Sequence, residues 1–139
     1  MTRKLATVSA VVLLVAFAAA CGPRAGGGAK EIKSAAVGGL SITIANDEGV
    51  LRHGEAEFDL TFKDSSGKTV DVGSAALNFY MPAMGAMPAM NNAATLKTTS
   101  SPGVYRGKAK IDMPGEWQAQ VAYEGPAGKG AGSFPVTAQ

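Results

Sequence analysis

Four methionines stand three residues apart in the stretch FYMPAMGAMPAM: Met81, Met84, Met87 and Met90. A thioether is a soft, neutral ligand that selects Cu(I) among biological metals. It needs no deprotonation, so it serves where thiols would be oxidised. The spacing has to be tested against geometry. An x3 repeat suits a helix loosely, but Pro82 and Pro88 oppose one. Each also biases the residue before it, Met81 or Met87, toward extended backbone. In a polyproline conformation all four sulfurs would share one side, with neighbours about 9 Å apart, too far to share an ion. A mononuclear site therefore requires a bend. Gly85-Ala86 is where the chain can make it, bringing two or three sulfurs together. The competing use of the same residues is packing. Met81 continues the parity of Leu77 and Phe79, and methionine fills irregular gaps well. Residue chemistry alone leaves open a metal loop, an apolar plug and a methionine-rich partner surface.

Other chemistry is poorly supplied. The single histidine, His53, lies in the turn LRHGE, and the single cysteine is Cys21. No nucleophile elbow and no glycine-rich loop before a helix is present, and zinc's usual Cys and His clusters are missing. Glu55, Glu57 and Asp59 alternate along one strand and read as its solvent face. An enzyme is not expected.

The elements that must hold the loop begin after an export segment. Arg3 and Lys4 precede the apolar region Leu5 to Ala20, whose uninterrupted run Ala10 to Ala20 is too short for a typical membrane span and ends in small residues. The junction Ala-Ala-Ala-Cys-Gly resembles the bacterial lipobox. That resemblance implies a lipidated Cys21 as the first residue of a mature protein anchored to a membrane. Gly22 is not Asp, which by resemblance to Gram-negative sorting argues against retention at the inner membrane. The expected location is the cell envelope: the periplasmic side of the outer membrane in a Gram-negative cell, otherwise the extracytoplasmic face. Losing Arg3 and Lys4 leaves eleven basic residues against eleven acidic ones. The mature chain is then near neutral and has no basic footprint for nucleic acid.

Three parts follow: a signal segment over 1–20, the lipidated Cys21 with a flexible Gly-, Ala- and charge-rich tether to residue 37, and one domain over 38–139. The domain alternates with period two: Leu40, Ile42, Ile44; Phe58, Leu60, Phe62; Leu77, Phe79, Met81; Tyr105, Ala109, Ile111, Met113; Trp117, Ala119, Val121, Tyr123. About seven short strands and no helix are expected. One-sided alternation favours two antiparallel sheets packed face to face, an all-β immunoglobulin-like or cupredoxin-like sandwich, with an open barrel as the other architecture.

LNFYMPAMGAMPAM followed by GVYRGKAKIDMPGEWQAQV resembles the YtkA-like domain family of small exported bacterial β-sandwich domains, often lipoproteins. The matching residues are Met81, Pro82, Met84, Met87, Pro88 and Met90, then Gly103, Tyr105 and Gly107, then Met113, Gly115 and Trp117. The resemblance covers most of residues 40–136. It implies association with heavy-metal efflux and copper-handling partners. It also places Met113 and Trp117 in one turn, where Met113 can add a thioether and the Trp117 indole can contact a bound cation. The chain departs from many soft-metal loops in having Ala86 where a histidine could stand, and His53 is remote in sequence. The resulting expectation is an envelope lipoprotein that holds or passes Cu(I). The alternative is a metal-free module whose Met-Pro loop is an apolar contact for an envelope or efflux partner.

Overall fold

A computed structural model describes residues 28–139. Cys21, the signal segment and the start of the tether lie outside the described residues. The described chain forms nine strands and no helix: β1 (Lys30–Val37), β2 (Leu40–Asn46), β3 (Gly54–Lys63), β4 (Ser74–Met81), β5 (Met90–Ala93), β6 (Thr95–Thr98), β7 (Val104–Ile111), β8 (Gly115–Gly125) and β9 (Gly128–Ala138). They make two antiparallel sheets, a five-stranded one in the order β1-β2-β3-β7-β6 and a four-stranded one in the order β5-β4-β8-β9.

The period-two residues face each other between the sheets. Ile42, Ile44, Leu60, Phe62, Phe79, Ile111 and Trp117 are fully buried, and no polar or charged residue joins them among the described residues. Aromatic edges lock the layers. Phe58 of one sheet meets Phe79 of the other at 5.8 Å between ring centres. Phe62 meets Tyr105 of its own sheet and Tyr123 of the other, each at 5.6 Å. All three contacts are edge to face, the arrangement that ring quadrupoles favour. Gly107 sits directly across from Phe58, and a Cβ there would overlap the Phe58 ring, so only glycine fits. The outer face of the larger sheet carries the expected charge. Asp59 pairs with Arg106 at 2.9 Å and Glu57 with Lys108 at 3.4 Å. Each pair stands in register across β3 and β7, where opposite charges support the sheet.

Two features differ from the sequence reading. There are nine strands rather than about seven, because β5 and β6 are four residues each and gain their conformation from their neighbours. The tether expected to run to residue 37 instead yields a strand from Lys30. Its residues KEIKSAAV show no clean alternation, and an edge strand needs none. Pairing with β2 and partial burial of Ile32 and Ala35 order it.

Strand direction fixes what gathers at each end of the sandwich. β3, β5 and β8 begin, and β4, β7 and β9 end, at one pole: Gly54 pairs with Ile111, Gly115 with Ala138, and Met81 with Met90. That pole therefore carries the methionine stretch, the Met113 turn and the approach to β3 that contains His53.

Candidate metal site

The methionine stretch is the connection between β4 and β5, folded back on itself at its midpoint. The amide of Met84 donates to the carbonyl of Met87 at 3.1 Å, and the amide of Met87 donates to that of Met84 at 2.9 Å. Gly85 takes the left-handed backbone and Ala86 does not. That is the pattern of a two-residue type II′ hairpin, in which glycine holds the first central position. The bend expected at Gly85 is present.

Folding at that point turns four evenly spaced methionines into two rungs. Met84 faces Met87, and Met81 faces Met90. Directly opposed residues of an antiparallel pair present their side chains on the same face. Residues that exchange both backbone hydrogen bonds have Cα atoms about 5.5 Å apart. The outer rung is open to solvent, with Met84 52% and Met87 41% exposed. The inner rung is turned into the protein. Met81 is 1% exposed and Met90 is half-buried against the core.

The turn between β7 and β8 lies beside the inner rung. A Cβ built on Gly115 would stand 3.4 Å from the terminal methyl of Met81, and Asn92 of β5 donates to Asp112 at 3.0 Å. Met113, in that turn, is half-buried against the core. Trp117 is wholly buried, and its indole N–H donates to the carbonyl of Met113 at 3.0 Å. The structure thus makes Trp117 a core side chain that pins the Met113 turn rather than an exposed face for a cation. Parity with Val121 and Tyr123 places it there. Met81 is likewise a core residue, continuing Leu77 and Phe79.

Residues 34–122, more than half of the chain, match the YtkA-like family model. The chain belongs to the YtkA-like family. The region that matches this YtkA-like model holds His53, both methionine rungs, Met113 and Trp117, and stops short of β9. No curated protein and no solved structure matches the chain significantly.

Among the described residues no group of three His, Cys, Asp or Glu side chains is placed to hold a metal. The side chains gathered at this pole that carry donor atoms include the four hairpin thioethers, Met113, Asp112 and His53. In sequence His53 is remote from the methionines. The structure brings it to this pole, because β3 and β7 are antiparallel and Gly54 pairs with Ile111. The signal was present in two parts, the turn LRHGE opening one strand and the turn at Pro114-Gly115 closing another. Only the pairing of those strands joins them.

Proposed function

We propose that this chain is a non-enzymatic envelope lipoprotein that binds a soft metal ion, Cu(I), through its methionine hairpin and hands it on. The observation that carries the reading is the outer rung. Two neutral sulfur donors, Met84 and Met87, sit opposite each other on a hydrogen-bonded turn and remain accessible. Exposure of large apolar side chains has a cost in solubility, and among the described residues only these two are large, apolar and exposed. A metal that prefers thioether ligands gives that exposure a use. The lipidated Cys21 would keep the site at a membrane, close to efflux or copper-handling partners.

A second reading rests on the same surface. Pro82 to Ala89 is exposed throughout and carries no charged side chain. Such a tip can serve as an apolar contact for an envelope or efflux protein with no metal bound.

Competition titration of Cu(I) against a chelator separates the two. The Met84→Leu/Met87→Leu variant keeps the tip apolar and removes both exposed sulfurs. The metal reading expects that variant to lose copper. Equal copper binding by variant and parent would remove the outer rung from any site. Absence of copper binding in both, with partner capture retained by the leucine variant, would establish the contact reading.

A further inference from the structure

The two rungs of the hairpin differ in what an oxidant can reach. A thioether sulfur carries a lone pair and is converted to its sulfoxide with no activating group beside it. Access then decides which methionine reacts. Among the described residues Met84 and Met87 are exposed, Met90 and Met113 are half-buried against the core, and Met81 is buried. Met81 can react only when the core opens locally, so its rate falls with the opening equilibrium, at least about tenfold. The surroundings of the outer rung give no shelter. Pro82 to Ala89 is exposed throughout, and a Cβ built on Gly85 would meet nothing within 4 Å.

The fold tolerates the product at one rung and not at the other. Sulfoxidation turns an apolar side chain into a polar one. At Met81 the new oxygen would enter a core with no buried polar or charged residue among the described residues, where an unpartnered polar atom is costly. At the tip the oxygen meets water. Met84 and Met87 hold the turn through their backbone groups, the amide of each donating to the carbonyl of the other, so the turn survives a change at the sulfurs. What changes is the chemistry on offer. A sulfoxide presents a hard oxygen in place of a soft thioether, and Cu(I) selects soft donors.

We propose that Met84 and Met87 are a site of reversible sulfoxidation, and that this modification switches off Cu(I) binding at the hairpin. The place of modification follows from exposure, and its effect on copper rests on the reading that the outer rung holds the ion. The oxidant class is a hydroperoxide, with hydrogen peroxide its simplest member. The sulfur lone pair attacks one peroxide oxygen, the O–O bond breaks and an S–O bond forms. The sulfur loses two electrons and the peroxide gains them. The departing hydroxide takes the proton from the new S–OH group and leaves as water. Reversal falls to thiol-dependent sulfoxide reductases, one for each sulfoxide epimer. There a dithiol is oxidised to a disulfide, and the sulfoxide oxygen leaves as water.

The test treats the full chain in detergent micelles with rising hydrogen peroxide, and removes the peroxide before Cu(I) is added. Labelled methionine methyls and fragment mass spectrometry follow each sulfur. Met84 and Met87 should convert first, at least about ten times faster than Met81, whose methyl signal should stay in place. The oxidised chain should fall to the copper affinity of Met84→Leu/Met87→Leu. Both epimer-specific reductases with a dithiol should restore the parent's affinity. Peroxide should leave the copper affinity of the leucine variant unchanged. Conversion of Met90, Met113 or Met81 as fast as the outer rung would overturn the site. Conversion of the outer rung with copper affinity unchanged would overturn the switch, and sulfoxides that the reductases leave in place would overturn its reversibility. Absence of copper binding by the unoxidised parent would overturn the copper reading and the switch together, while the same order of conversion would still uphold the modification site.

Discussion

Replacing Met81 by alanine should separate packing from ligation. Met81 is 1% exposed, and its terminal methyl lies within van der Waals reach of the Gly115 position, in a turn pinned by the Trp117 indole. Little nearby can collapse into the space, because Met81 ends a strand held between β5 and β8 and is buried in the core. A buried Met→Ala change typically costs about 2–5 kcal/mol. For a domain of this size each kcal/mol lowers Tm by about 4–8 °C, so a loss of roughly 8–40 °C is expected. Met81→Leu nearly conserves volume and should cost less than about 1.5 kcal/mol. Met84→Ala and Met87→Ala, at exposed positions, should each stay within about 0.5 kcal/mol of the parent. Thermal melts with and without Cu(I) test the set. An ion that binds only the folded chain, at a hundred times its Kd, adds about 2.7 kcal/mol of stability. Met81→Leu should keep that rise in Tm, and Met84→Leu/Met87→Leu should lose it. Parent-like stability of Met81→Ala would refute the packing argument. Loss of the copper-dependent rise in Met81→Leu alone would move the ligands to the inner rung.

Three further outcomes follow from the same geometry. A Cβ on Gly107 overlaps the Phe58 ring. Gly107→Ala should therefore destabilise by about 1–3 kcal/mol in urea unfolding, and shrinking the ring with Phe58→Leu should recover part of the loss. Gly85→Ala meets open space but must hold a left-handed backbone. It should cost about 1–2 kcal/mol, confined to the hairpin, and raise amide exchange at Met84 and Met87 without a comparable change in the core. Burial, and then the charge of Asp71, hold the Tyr105 phenol above its ordinary value, while its hydroxyl donates to the carbonyl of Gly73 at 2.7 Å. The folded chain keeps this proton where the unfolded chain releases it. The contribution is therefore complete below the unfolded value of about 10 and lost as pH rises through the raised folded value. Stability of the parent should fall more steeply with alkaline pH than that of Tyr105→Phe.

Most of the sandwich was legible because burial and parity coincide in it. Phe58, Leu60 and Phe62 alternate with charged or polar neighbours and are buried at 1% exposure or less. Where parity is weak, legibility failed. β1 is an edge strand of mixed polarity, and MNNA and TLKT are too short to show a period. The bend at Gly85 was readable, since glycine stands at the centre of a stretch whose prolines oppose a helix. Which sulfurs it would expose was not. That depends on the register of β4 with β5, and register is set across strands. His53 is the same case. Its place beside the Met113 turn depends on Gly54 pairing with Ile111, a partner far along the sequence.

The two rungs cannot act on one ion together. Three residues separate them along each arm, about 10 Å of extended chain. Met81 is also turned into the core, while Met84 and Met87 are open. An ion at the tip would thus find two thioethers from this hairpin and solvent beyond them. Two neutral, weak donors hold Cu(I) loosely and leave coordination positions free. A protein that stores copper would surround the ion with more sulfur. A protein that passes it on needs an accessible, under-coordinated ion that an incoming ligand can approach before the first two let go. The outer rung fits the second task. A partner that takes the ion by forming a third bond should therefore accelerate its release from the parent chain with rising partner concentration. A release rate independent of partner would mean that the ion must leave before it is captured, and would refute direct transfer.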